Sequence, residues 1–122
     1  MTQNLDRFKF KVWDNEKNIM EYCDSGMHEN TMSMWLHKIQ NELYDAILLQ
    51  STGLKDKNGN LIYEGDVLDH FELIVCIKYD LDNGGFYIKG NAYGWNPLTH
   101  FRAGQCETIG NIHENPELLE NI

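Results

Sequence analysis

Residues 48–68, "LLQSTGLKDKNGNLIYEGDVL", limit what this chain can fold into more than any other stretch. Two turn signals and a Gly-Asp step separate short apolar runs, so the backbone must reverse more than once within twenty-one residues. Asn58-Gly59 is the strongest short hairpin signal in the chain, because a type I′ turn needs positive φ at both central residues. Leu61, Ile62 and Tyr63 follow as apolar cover. Gly65 offers a left-handed or close-approach backbone position, and the Asp66 carboxylate can hydrogen-bond the turn. "VLDHF" then begins another strand. Such a centre implies short strands joined by tight turns.

The flanking segments extend that pattern. In "RFKFKVWD", Phe8, Phe10 and Val12 alternate with Arg7, Lys9, Lys11 and Trp13, as in a half-buried strand. "DNEKN" is a polar turn, and "IMEY" reads as the returning strand of an N-terminal hairpin. "MSMWLHKIQNEL" supports two readings. Trp35, Ile39 and Leu43 recur at helical spacing with Ser33 as a cap, whereas Met32, Met34 and Leu36 alternate as in a strand. A short helix over 33–43 is the expectation adopted. "YDAILLQ" reads as a buried strand. "ELIVCIKYD" places Val75, Ile77 and Tyr79 on one face, "DLDNGG" turns the chain, and "FYIKG" pairs back. "NAYGWNPLTHF" reads as a loop carrying Tyr93, Trp95 and Phe101, and "CETIGNIHEN" as a last strand. At the end, Asn115 is expected to cap a short C-terminal helix with Pro116 at its first position. The fold class is mainly β: a small barrel with minor helix.

Size and charge narrow the function classes. A chain of 122 residues suits one domain, here taken as residues 1–122. Within it, 1–47 would hold the hairpin and a variable segment, and 48–122 the barrel and C-terminal helical turn. No run of 18 apolar residues is present and "MTQNLDRFKFKVW" lacks an apolar signal core, so a cytoplasmic protein with no membrane contact is expected. The net charge is −9, with −2 on residues 1–60 and −7 on residues 61–122. Phosphate backbones are bound by clustered Lys and Arg, so no nucleic acid is expected as a partner. Cys23, Cys76 and Cys106 form no CxxC and are expected to be unpaired thiols.

No catalytic, cofactor or metal site is expected. "DKNGN" sets Asp56, Asn58 and Asn60 at calcium-loop spacing, yet Leu61 and Val67 stand where such a loop needs Gly and a bidentate Glu. The stretch is a turn. The five histidines fit no zinc spacing, and Asp69-His70 with Cys106 or Ser51 matches no nucleophile motif. The stronger candidates are aromatic. Tyr93, Trp95 and Phe101 surround Gly94 and Pro97, and Trp13 lies on the N-terminal hairpin. Such side chains serve as interface anchors, or Trp95 plugs one end of the barrel.

Three segments carry a resemblance. "RFKFKVWDNEKNIMEY", "LLQSTGLKDKNGNLIYEGDVL" and "ETIGNIHENPELLE" resemble the hallmarks of the YopX family, small proteins encoded by phages and prophages of bacteria. Residues 23–45 and 70–104 match only in general character. The resemblance implies an SH3-like β-barrel that forms homo-oligomers, and it supplies no activity, cofactor or catalytic residue. Thr52, Gly53, Asp56, Asn58, Gly59, Gly65 and Asp66 all match its pattern. Gln50, Thr52 and Glu64 match without an evident turn duty, and mark a shared polar site. Three readings follow. The first is a non-enzymatic phage accessory protein that binds itself or a host protein. The second is an acidic decoy for a nucleic-acid-binding surface of a host enzyme. The third is a hydrolase or small-ligand-binding protein.

Overall fold

The computed structural model describes residues 4–23, 32–90 and 94–121. After a 3-10 turn at Asp6–Phe8, the chain forms strands β1 (Phe10–Asp14) and β2 (Ile19–Cys23) and helix α1 (Met32–Gln40). Strands β3 (Ala46–Lys55), β4 (Leu61–Tyr63), β5 (Asp66–His70), β6 (Leu73–Asp80), β7 (Gly85–Gly90) and β8 (Gly94–Pro97) follow. Helix α2 (His100–Ala103), β9 (Glu107–Asn111) and a 3-10 helix at Pro116–Asn121 complete the order. All described pairings are antiparallel. They build a four-stranded sheet, β2-β1-β3-β4, and a five-stranded sheet, β8-β7-β6-β5-β9. The result is mainly β, with a curled half-barrel sheet and few short helices, as expected.

One apolar cluster joins the two sheets and a second lies beneath α1. Ile62 on β4 of the smaller sheet packs with Leu68, Val75, Ile77 and Ile88 of the larger sheet and with Ala103 and Cys106. Each fully buried aliphatic side chain here contributes roughly 1.5–3 kcal/mol. Phe10, Val12, Cys23 and Trp35 form a second cluster beneath α1. The other face of β1 carries Lys11 and Trp13 toward the larger sheet, where Lys11 pairs with Asp66 and Trp13 stacks on His113. That explains why all five residues of β1 are buried. The alternation in "RFKFKVWD" indicates a half-buried strand; the second sheet covers the face that the pattern leaves to water.

Other expectations are corrected in detail. Phe8 belongs to the 3-10 turn and is largely exposed. Helix α1 begins at Met32, so Ser33 lies inside it, and Leu43 falls beyond its end and is exposed. The turn at Asn58-Gly59 is not type I′, because only Gly59 has positive φ (+82°). The Gly59 N–H donates to the Asp56 carbonyl, and the Asp56 N–H to the Asn60 carbonyl. This is a three-residue loop closed by a left-handed glycine, the next most common hairpin geometry. Tyr79 is half-exposed while Val75 and Ile77 are buried, since the sheet's curl leaves its end uncovered. "NAYGWNPLTHF" is not one loop: it supplies edge strand β8 and helix α2, whose Thr99 side chain caps Arg102 N–H. Pro116 opens the C-terminal helix as expected. The Asn115 side chain does not act as foreseen: its Oδ1 accepts from the Asn111 N–H at 3.2 Å, while its carbonyl accepts from Leu118.

Candidate functional site

The aromatic residues separate cleanly. Trp95 lies on edge strand β8 and is 52% exposed, and Phe101 on α2 is 75% exposed. A ring with half its surface in water does not plug a barrel, so that reading of Trp95 is overturned. The register places Trp95 beside Lys89 and Pro97 beside Tyr87, with Lys78 next to Tyr87 on β6. The Lys89 ammonium sits 5.3 Å from the Trp95 ring and Tyr87 meets it edge-on at 6.4 Å. In a chain of net charge −9 this face presents aromatics with two lysines. Helix α2 is tied to β8 by the Arg102 guanidinium, which donates to the Pro97 carbonyl at 2.7 Å. Trp13, in contrast, is only 8% exposed, so it is core rather than anchor. Tyr93 lies outside the described residues.

The three polar residues do not form one site. The Thr52 hydroxyl donates to the Ile62 carbonyl at 2.8 Å and accepts from the Leu54 N–H at 3.1 Å. It ties β3 to β4 across a register shift, beside Gly53 at φ +78°. Gln50 and Glu64 do meet: the Glu64 N–H donates to the Gln50 carbonyl at 2.9 Å, and the Gln50 N–H faces the Glu64 carboxylate. Glu64 lies in a groove with Ile47, Leu49, Tyr79 and Ile112. Burial pushes its carboxyl above the usual range, despite the Gln50 N–H and the Lys78 charge. His113 shares that groove, and burial followed by the charge of Lys11 pushes its imidazole down.

The other ionisable groups are held by structure. Burial raises the Asp14 carboxyl, but the Lys17 N–H, the Tyr44 hydroxyl and the Glu16 N–H outweigh it and hold it low. The same bond to Asp14 pushes the Tyr44 phenol up to about 12. Asp56 accepts from the N–H groups of Asn58, Asn60 and Thr108, which likewise outweigh burial and keep it ionised. Both of its oxygens are thereby occupied in a turn that also anchors β9. His70 Nε2 pairs with Gln105 Oε1 at 2.9 Å. The three cysteines are buried and unpaired with one another, and burial pushes Cys106 up to about 11. Among the described residues no three His, Cys, Asp or Glu side chains gather where a metal could be held. Among them, too, no helix is long and apolar enough to cross a membrane.

The arrangement that sequence reading missed is the contact between the sheets. Lys11 Nζ and Asp66 Oδ1 lie 2.9 Å apart, and both side chains are 4% exposed. Asp66 also accepts the Tyr63 N–H at 2.8 Å through its second oxygen. Burial pushes its carboxyl up against the opposing charge of Lys11 and the Tyr63 N–H. Lys11 Nζ lies 4.7 Å from the Tyr63 ring and 5.7 Å from that of Tyr22. Nothing in the local sequence links residue 11 to residue 66, and the alternation in "RFKFKVWD" assigns Lys11 to the face left to water.

The family model for YopX protein matches residues 9–120. The chain belongs to the YopX family. A YopX-family assignment agrees with solved structures of similar shape. Protein EF1440 from Enterococcus faecalis is 26% identical, with a TM-score of 0.57 over 92% of this chain and 97% of that one. YopX from Bacillus subtilis is 20% identical, with a TM-score of 0.56 over 95% and 98%. No curated protein sequence matches the chain significantly.

Proposed function

We propose that this YopX-family chain is a non-enzymatic protein-interaction module that self-associates through its β8–α2 edge. In this reading it is an accessory protein of phage or prophage origin, acting in the bacterial cytoplasm. The observation that carries the proposal is the exposure of Trp95 on edge strand β8 and of Phe101 on helix α2, which Arg102 ties to that strand. Large aromatics at a contact centre supply much of the binding energy of protein interfaces. Lys78 and Lys89 on the same face as Trp95 offset part of the negative charge there and ease the approach of two acidic chains. The non-enzymatic reading is supported by Asp14, Asp56 and Asp66, each of which holds backbone N–H groups or a buried lysine in place.

Sedimentation velocity of the wild type and of Trp95→Ala with Phe101→Ala tests this. The variant is expected to shift toward monomer by roughly 2 kcal/mol or more in association energy. Its unfolding midpoint should hold, because both rings are already exposed. Raising salt from about 0.01 M to 0.15 M shortens the screening length from about 30 to 8 Å and should strengthen assembly. A wild type that stays monomeric throughout, or a double variant that assembles normally, overturns the proposal.

A further inference from the structure

Strands β4 and β9 are edges of the two sheets, and they face each other across an open cleft of about 510 Å³. Its floor is the buried Lys11–Asp66 pair. One wall is Asn111–Asn115, fixed by its own hydrogen bonds. Asn111 Oδ1 accepts from the N–H groups of His113 and Glu114, its amide donates to Glu114 Oε1 at 2.9 Å, and Asn115 Oδ1 accepts from Asn111. At the rim stands Tyr22, 68% exposed, edge-on to Tyr63 with ring centres 6.1 Å apart.

This cleft lies within the usual size of a small-molecule site, roughly 300–1,000 Å³, and its polar groups are held in position before any ligand arrives. The charge pattern restricts the ligand. Lys11 is neutralised by Asp66, Glu114 adds a negative charge, and the chain as a whole is at −9, so an anion gains little. A cation finds the space between the two tyrosines already filled by Lys11. An apolar ligand would strip water from amides and carboxylates without replacing their hydrogen bonds. What remains is an uncharged ring with many hydroxyls and an apolar face to lie on Tyr22. We propose that the β4–β9 cleft binds a neutral sugar, held by Glu114 and the asparagine amides above the Lys11–Asp66 floor.

Saturation-transfer NMR on the intact chain, with glucose, N-acetylglucosamine and maltose as probes at millimolar concentration, decides the matter. At least one is expected to show transfer to its ring protons, and glucose 6-phosphate to bind more weakly than glucose. Tyr22→Ala should weaken binding roughly tenfold, the loss of one stacked ring face, with no change in unfolding midpoint. Glu114→Gln, which keeps the bond from Asn111, is expected to weaken it severalfold and provides a second variant. No transfer from any of the three sugars overturns the proposal, as does preferential binding of the phosphate, or full binding by both variants.

Discussion

Gly65 stands at φ +85°, with its N–H on the Ile77 carbonyl and its own carbonyl accepting from Ile112. A Cβ there would meet only ordinary contacts, the nearest 3.6 Å away, so conformation and not space excludes other residues. Gly65→Val is therefore expected to destabilise by roughly 1–3 kcal/mol, read from urea unfolding. His113 provides a second test at this scale. Its imidazole is depressed below 6.5 in the folded chain, first by burial and then by Lys11. The unfolded chain therefore takes up the proton first as pH falls below 6.5, and the stability that His113 contributes above that pH is lost through the folded pKa. Glu64 and Asp66 are shifted upward and act in the opposite sense at lower pH. Comparing the wild type with His113→Phe isolates the effect: the variant keeps a ring on Trp13 and should show a flatter stability profile just below pH 6.5.

The β3–β4 hairpin shows how one side chain can organise an element. Asp56 Oδ1 accepts from Asn58 and Asn60 at 2.9 Å each, and Oδ2 accepts from Thr108 at 3.0 Å. The first two bonds close the loop around Gly59. The third joins that loop to β9, fifty-two residues away. A carboxylate in this role is held below its usual range, so the bonds are at full strength at neutral pH and weaken only in strong acid. Asp56→Ala is expected to cost roughly 1.5–3 kcal/mol, the range for hydrogen bonds to a charged group. Asp56→Asn, which keeps one acceptor, should cost less. Chemical denaturation of both variants checks the order, and equal costs would show that the charge and second oxygen contribute nothing.

The two sheets meet through Lys11 on β1 and Asp66 at the start of β5. Both charges are out of water, so removing one leaves the other uncompensated. Lys11→Met is expected to destabilise by roughly 3–5 kcal/mol at neutral pH. Adding Asp66→Asn should recover part of that loss, because the uncharged amide still offers an acceptor to the Tyr63 N–H. The defect of the single variant should also shrink in mild acid, where Asp66, already shifted upward, takes a proton. Thermal unfolding across pH for the two variants measures both effects.

Local chemistry was legible from the residues alone. Asn58-Gly59, Gly65 and Asp66 indicate a hairpin and a tight turn, and both are present, because turn geometry is set by φ preferences and short-range hydrogen bonds within a few residues. Helix α1 followed from the spacing of Trp35 and Ile39, and most strands from their apolar runs and the turns between them. The resemblance in three segments indicated the family. What the tertiary structure alone decided were the relations between distant segments. Trp13 and Trp95 look alike in sequence; the second sheet buries the first and leaves the second at an edge. Thr52 was drawn to a strand–strand bond, and Lys11, a residue type usually in water, to the floor of the molecule. Burial and ion pairing depend on which strands lie face to face, and that follows from the packing of two sheets whose contacting residues are some fifty positions apart in the chain.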